Sequence, residues 1–586
     1  MRVKVPGVRR QSTPLKLRYE GREIDAFPGE TVMSALVAAG IWTFRETRDG
    51  DCRGPFCGMG VCGECTVSAA GVPRRACLEP VSDGLEISRQ PARAAAPGTS
   101  PALREDPWED IAIDVLVVGA GPAGLAAART AAEGGASVLV VDERRKAGGQ
   151  YFKQPGEGFD IEEADLDHQF AEGRALAAAA VRAGAGFLFG ATVWGAFGPD
   201  EIGVHTDDRC LLIRPRRLVL SPGAYEQPLP VPGWTLPGVL TTGAAQTLLR
   251  AYQTVPGRRM LVAGNGPLNL QVARELRRAG VDVVAVAESA PPPGPRLAWP
   301  LLRMAAASPG LVAAGIGHVL ALRAARVPVL HRHVLVEATG DDRVTYARVA
   351  PIGPDGHVDL ARARGFDVDA VCMGYGFLPQ AELARALGCS HGYDADRGAL
   401  VAERALDGRT DVDGVFIAGD AGALGGARVA IAQGTLAAAS ALSDLGVPIG
   451  PAPRRRRAAA MRQARRHLRF QAALWRVYRA PSPGLSLTRG DTLVCRCENV
   501  TRAAIESRMH LDHVTTLGAI KRLTRAGMGR CQGRYCAPVL ARMAREAGLE
   551  IVDDDAFFAP RAPFKPVPIA RLARPGPVRP RAPVSL

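Results

Sequence analysis

Residues 115–143 read VLVVGAGPAGLAAARTAAEGGASVLVVDE. A buried-strand run, Val115 to Val118, leads into Gly119-Ala120-Gly121-Pro122-Ala123-Gly124; an alanine-rich helix follows to about Glu133, and a second strand, Ser137 to Val141, ends in Asp142-Glu143. This is the whole strand, glycine loop, helix, strand and acid unit of a dinucleotide-binding fold, far more specific than an isolated G-x-G-x-x-G. Gly119, Gly121 and Gly124 let the backbone approach a pyrophosphate at the helix N-terminus, with Pro122 and Ala123 completing the loop. An acid at the end of the second strand would bond the adenosine ribose. Glu143, just before Gly148-Gly149, is favoured over Asp142 for that role, and Gly149 and Gln150 are added to the candidate site.

A second signature lies far downstream, where Val415-Phe416-Ile417-Ala418-Gly419-Asp420 resembles the late motif of two-dinucleotide flavoproteins, in which the aspartate, here Asp420, binds the ribityl chain of FAD. Leu218 to Ala224 (LVLSPGA), with Gly223 and Ala224, fits the crossing strand between the two signatures. Between these halves sits another unit: strand Met260 to Ala263, loop Gly264-Asn265-Gly266-Pro267-Leu268-Asn269, a helix, and a strand ending in Glu288. Asn269 stands where the third glycine would give close helix–strand packing. Gly264, Gly266 and Glu288 are candidate ligands; Glu288 favours an unphosphorylated ribose, as in NAD, and the choice between NAD, another adenine nucleotide held structurally, and an empty unit stays open.

Eight of the twelve cysteines fall into two compact sets. Cys57, Cys62 and Cys65 have C-x4-C-x2-C spacing and Cys77 follows, the plant-type [2Fe-2S] pattern. A hairpin (residues 15 to 27) and a helix (Glu30 to Ala39) precede the loop in ferredoxin order, and Cys52 is assigned as a spare thiol. The second set is Cys495-Arg496-Cys497 followed by Cys531 and Cys536, a C-x-C and a C-x4-C around a helical stretch, Thr501 to Lys521. Zinc is the competing ligand for both sets, since thiolates at short spacing also suit a tetrahedral ion.

The chain of 586 residues is long enough for roughly four domains. Its hydrophobic fraction of 47% and charged fraction of 23% exclude a disordered or collagen-like chain. The N-terminus, MRVKVPGVRRQSTP, has no apolar core of the kind a secretory signal needs, so a cytoplasmic location is expected, where thiols stay reduced and metal or redox chemistry explains the cysteines. The net charge of +14 is concentrated between Arg454 and Arg479 and in a Pro/Arg-rich tail from Arg561 onward, without interleaved aromatics, which argues against nucleic acid. A solvated linker helix and an extended tail account for it; contact with an acidic partner or peripherally with the inner-membrane surface is the other use.

Together, FCGMGVCGEC, VVGAGPAGLAAA, GNGPLNLQVA, GYGFLP, VFIAGD and the paired C-terminal cysteines resemble the alpha subunits of bacterial heteromeric amino-acid dehydrogenases of the D-hydroxyproline dehydrogenase, opine oxidase and hydrogen cyanide synthase type, and more distantly sarcosine oxidase alpha subunits. The resemblance implies an α/β fold: a two-dinucleotide-binding, Rossmann-like flavoprotein core with an N-terminal β-grasp ferredoxin-like domain fused in front and a small α-helical [2Fe-2S] domain of the bacterioferritin-associated-ferredoxin type behind. Expected boundaries are 12–93 for the ferredoxin-like domain, 94–110 for a linker, 111–232 and 366–450 for the FAD halves, 233–365 for the central nucleotide unit, 451–490 for the basic helical linker, 491–548 for the second cluster domain and 549–586 for the tail. FAD and two [2Fe-2S] clusters are the implied cofactors. A separate beta subunit of the D-amino-acid-oxidase fold is the implied partner; it would oxidise the substrate and pass electrons to this chain, and from here to an acceptor. No local motif for acid–base or nucleophilic work on an amine stands out, so no catalytic residue is assigned. A self-contained NAD(P)H-dependent oxidoreductase and a non-enzymatic iron–sulfur carrier or sensor are the alternatives.

Overall fold

A computed structural model describes residues 1–91, 108–447, 450–511 and 514–572. Residues 94–107 of the expected linker and 573–586 of the expected tail lie outside the described residues.

The first domain is a five-stranded sheet in the order Arg22–Ala26, Leu15–Tyr19, Glu86–Arg89, Thr66–Ala69, Val72–Arg75. Its opening hairpin turns at Glu20 and Gly21, both with positive φ, the backbone hand that matches strand twist. The helix Val32–Ala38 starts at a reciprocal cap between Thr31 and Ser34 and buries Met33, Leu36 and Val37 against Leu17, Phe44 and Val67. The cysteine loop, residues 57–65, runs from this sheet toward the rest of the molecule.

In the first nucleotide domain the strand Trp108–Val118 lies parallel between Val138–Asp142 and Cys210–Leu220, and Val415–Ile417 adds to Leu218–Leu220. The register places Val118, Val141 and Leu220 level with one another and Leu220 level with Ile417. The Gly119 loop, Asp142, Ser221 to Ala224 and Ala418 to Asp420 therefore all leave the sheet at one edge, the carboxyl ends where parallel sheets bind ligands. The central unit repeats this arrangement with five parallel strands in the order Val239–Thr241, Ala370–Gly374, Arg259–Gly264, Asp282–Glu288, Val329–His331. Two crossing strands, Ala224–Glu226 and Phe377–Pro379, pair to join the two units.

The last domain packs helices Arg502–Met509, Leu517–Thr524 and Ala537–Glu546 around Val494, Ile505, Ile520 and Leu540.

Two features differ from the sequence reading, and a third lies where the sequence made no assignment. The first ten residues pack on both nucleotide units: Val8–Arg9 pairs with Asp160–Ile161 of the first, and Val3 N–H donates to the Gln253 carbonyl of the central one. The basic helix, Pro451–Val477, is solvated on one face only; Ala460, Ala464, Phe470 and Ala473 are buried against neighbouring helices, because the alanines between its arginines recur at helical spacing. The described part of the tail is docked, not free. Ile551, Phe557, Phe558 and Phe564 are buried, and Phe564 N–H donates to the Trp194 carbonyl; aromatic burial outweighs the solubility of the flanking arginines.

Candidate functional site

Gly119 has φ 102°, and a Cβ there would sit 2.4 Å from the Ser221 carbonyl oxygen; one on Gly124 would sit 1.8 Å from the Gly119 oxygen, and one on Gly149 2.7 Å from the Gly121 Cα. These contacts hold the loop tight, with Gly121 as N-cap and Pro122 opening the helix Pro122–Glu133. Asp142 braces the loop from within: its carboxylate accepts from Ala120 N–H at 2.7 Å and Arg144 N–H at 2.8 Å, while burial pushes its pKa up. Glu143 points elsewhere, to Lys565 at 2.7 Å and Arg75 at 3.4 Å. Burial opposes its charge, yet those two cations hold its pKa down to about 2. So the two acids at the strand end have separate partners, one the glycine loop and the other the cations of two other domains.

The late signature closes on the same loop. Gly419 has φ 72°, and a Cβ there would touch Ala123 Cβ at 3.0 Å. Asp420 accepts from Gly425 N–H at 2.8 Å and Gly426 N–H at 2.9 Å, at the start of the helix Gly426–Asp444. Gly223 has positive φ with open space beyond it, Ala224 pairs with Pro379, and the Gln150 carbonyl accepts from Lys153 Nζ at 2.7 Å.

The first four thiols, Cys57, Cys62, Cys65 and Cys77, are buried. Amides aim at the sulfurs: Gly60 N–H at Cys77 (3.2 Å), Cys62 N–H at Cys57 (3.4 Å) and Glu64 N–H at Cys62 (3.4 Å). Burial opposes the Cys57 thiolate, but hydrogen bonds from the Cys62 thiol and nearby amides bring its pKa down to about 6. In the second set Cys497 Sγ lies 3.8 Å from both Cys495 Sγ and Cys531 Sγ, Cys536 lies beside Cys495, and Gly527 N–H faces Cys495 at 3.5 Å. A Cβ on Gly529 would fall 2.5 Å from the Cys497 sulfur, so only glycine leaves that thiol its place. Among the described residues no three His, Cys, Asp or Glu side chains close around a single-ion position. What the first set shows is four buried thiols with amides aimed at three of the sulfurs, a donor set that fits an iron–sulfur cluster.

Residues 113–434 match the pyridine nucleotide-disulphide oxidoreductase family, residues 12–92 a 2Fe-2S iron-sulfur cluster binding domain and residues 493–546 a BFD-like [2Fe-2S] binding domain. The chain belongs to the pyridine nucleotide-disulphide oxidoreductase family. Among its relatives, an opine oxidase subunit of Agrobacterium tumefaciens (strain Ach5) is 32% identical over 477 residues, 78% of this chain and 91% of that one. Hydrogen cyanide synthase subunit HcnB of Pseudomonas protegens is 30% identical over 471 residues, 78% and 97% of the two chains. The solved L-proline dehydrogenase of P. horikoshii shares the fold, with a TM-score of 0.71 at 21% identity over 98% of this chain and 100% of that one. The protein is thus a flavoprotein-fold oxidoreductase with two [2Fe-2S]-binding domains, related to subunits of multi-subunit oxidases.

In this flavoprotein the central unit is built differently from the first. Gly266 (φ 108°) caps the helix Pro267–Arg278, but Glu288 is 1% exposed and accepts from Gly266 N–H, Asn265 Nδ2 and Ala290 N–H, each at 2.9–3.0 Å. Burial pushes its pKa up to about 7. Asn265 Nδ2 also donates to the Tyr478 carbonyl at 3.0 Å, at the end of the basic helix. Asn269 replaces the packing glycine by tying its helix to the end of one strand and the start of another helix: Nδ2 donates to the Gly374 carbonyl at 2.9 Å, and Oδ1 accepts from Thr242 Oγ1 at 2.8 Å.

Sequence reasoning missed two buried charged side chains, Lys153 and Glu226. Lys153 donates to Gln246 Oε1 at 2.8 Å, and Glu226 accepts from Gly243 N–H at 2.7 Å. Burial lowers the Lys153 pKa and raises that of Glu226. Each comes from a different segment, so no spacing announced them. Cys372 is buried in the sheet, its pKa raised by burial, and Cys52 faces Asp342 at 3.8 Å. No described helix is long and apolar enough to cross a membrane.

Proposed function

We propose that this chain is the FAD- and iron–sulfur-containing electron-transfer subunit of a heteromeric amino-acid or amine dehydrogenase. It takes electrons from a partner flavoprotein subunit, of the D-amino-acid-oxidase type, that oxidises D-hydroxyproline, an opine, glycine or a similar substrate. The observation that carries this reading is contact between the cysteine loop and the flavin-type core: a Cβ on Gly58 would lie 3.1 Å from Ala244, and Arg144 donates to the Gly58 carbonyl at 3.5 Å. One-electron carriers held against a flavin site suit a relay, because a flavin accepts two electrons and releases them singly. The relatives that are subunits of opine oxidase and hydrogen cyanide synthase support the same reading.

Residues 111–232 and 366–450 would hold FAD, with Gly119, Gly121 and Gly124 against the pyrophosphate and Asp420 toward the ribityl chain; Glu143, the acid favoured for the ribose from the sequence, is engaged instead by Lys565 and Arg75. Cys57, Cys62, Cys65 and Cys77 in domain 12–93, and Cys495, Cys497, Cys531 and Cys536 in domain 491–548, would ligate the two clusters. In the central unit, 233–365, the commitment of Glu288 and Asn265 to the protein's own groups disfavours NAD(P)H as the electron donor.

The test is purification of the native protein with flavin and iron assay, partner identification, and dye-linked activity over proline derivatives, opines and glycine. Substrate-dependent dye reduction is expected, together with a second flavoprotein subunit. An isolated, partner-free enzyme whose flavin is rapidly reduced by NADH would overturn the proposal.

A further inference from the structure

The two cysteine sets are far apart in sequence, yet the residues flanking them meet at one buried seam. Glu64, between Cys62 and Cys65, is fully buried and accepts from Arg45 Nη2 at 2.9 Å, with Arg53 at 3.9 Å on its other oxygen. On that same oxygen lies Arg496, at 3.6 Å, and Arg496 stands between Cys495 and Cys497. The Arg496 guanidinium stacks 3.8 Å from the centre of Phe56, the residue before Cys57, and 4.8 Å from that of Trp234. Phe56 in turn meets Tyr535, the residue before Cys536, at 5.4 Å between ring centres. Finally, a Cβ on Gly63 would lie 3.0 Å from Arg530 Cβ, beside Cys531. Four separate contacts thus join neighbours of one thiol set to neighbours of the other.

A carboxylate buried without solvent is retained only if cations compensate it. Here two come from its own domain and one from the distant domain, so removing Arg496 leaves Glu64 less compensated and the aromatic stack open. The packing is tight as well: the seam is glycine on one side because Arg530 fills the space.

Resting on the relay reading above, we infer that the two cysteine sets form one electron-exchange unit, held in register by Glu64 and Arg496 as positioning residues. The step is a single electron passing from a reduced [2Fe-2S] group in one set to an oxidised one in the other; no bond forms or breaks and no proton moves.

The experiment uses the full-length protein, reduced anaerobically with excess dithionite so that both groups are paramagnetic, and low-temperature electron paramagnetic resonance. Cys57→Ser and Cys531→Ser supply the spectra of each group alone. Magnetic splitting or broadening absent from the sum of the two single-group spectra is expected; a wild-type spectrum equal to that sum would overturn the inference. Arg496→Ala should keep its iron yet lose the splitting, with Arg496→Lys retaining part of it. Full splitting in iron-replete Arg496→Ala would remove the positioning role, and if that variant does not fold, the wild-type comparison still decides. Absence of a partner subunit would sink the relay reading while leaving this spectrum unchanged, so the two failures are distinct.

Discussion

Lys565 Nζ sits 2.7 Å from the Glu143 carboxylate, so a residue near the end of the described chain neutralises the acid at the end of the second strand of the first nucleotide unit.

The depressed Glu143 pKa of about 2 has a defined pH consequence. A carboxylate whose folded pKa lies below its unfolded value, about 4.3, stabilises the fold above that value and loses the contribution as pH falls toward 2. The shift corresponds to about 3 kcal/mol, order of magnitude only. Lys565→Met should therefore lower stability at pH 7 by about 1–3 kcal/mol and narrow the loss between pH 4.5 and 2. Chemical denaturation of both proteins at pH 7 and pH 3 checks this; equal stabilities at pH 7 would refute it.

Glu288 behaves in the opposite sense. Its folded pKa of about 7 lies above the unfolded value, so the protonated form stabilises the fold at low pH and that contribution fades as pH rises through 7. Glu288→Gln should flatten the decline in melting temperature between pH 5 and 8. An unchanged slope would mean that the carboxyl does not titrate there.

Asn269 holds two buried partners, and only one of them has another bond. Asn269→Ala leaves the Thr242 hydroxyl without its acceptor, while the Gly374 carbonyl keeps the Asn265 N–H at 2.8 Å, at a cost of about 1–3 kcal/mol. Thermal unfolding reads it, and a loss under about 0.5 kcal/mol would show that water replaces the amide.

Cys57→Ser or Cys62→Ser should remove about half of the iron and one paramagnetic signal while FAD stays bound. Loss of flavin in the same proportion would place the ferredoxin-like domain within the flavin site instead of beside it.

NADH added anaerobically is expected to leave the flavin absorbance unchanged, since Glu288 and Asn265 are already engaged; dithionite should bleach it. Stopped-flow absorbance distinguishes the two.

The strand, loop and helix units were legible because their chemistry is local: a glycine loop, the acid after it and four thiols at fixed intervals each lie within a few tens of residues. Asp142 and Glu143 show the limit. Adjacent in sequence, they differ in role because Lys565 and Arg75 approach only one of them, and such approaches come from tertiary packing. The Glu64–Arg496 contact and the Lys153–Gln246 bond were illegible for the same reason. The tail's burial had a faint signal in Phe557, Phe558 and Phe564, outvoted by the prolines and arginines around them.

The pairing of Val8–Arg9 with Asp160–Ile161, and of Val3 with Gln253, gives the leading domain a mooring of its own, separate from the peptide that follows it. A protease cut anywhere between residues 92 and 107 should accordingly yield two polypeptides that still migrate as one particle, behaving as if the fused piece had become a small subunit.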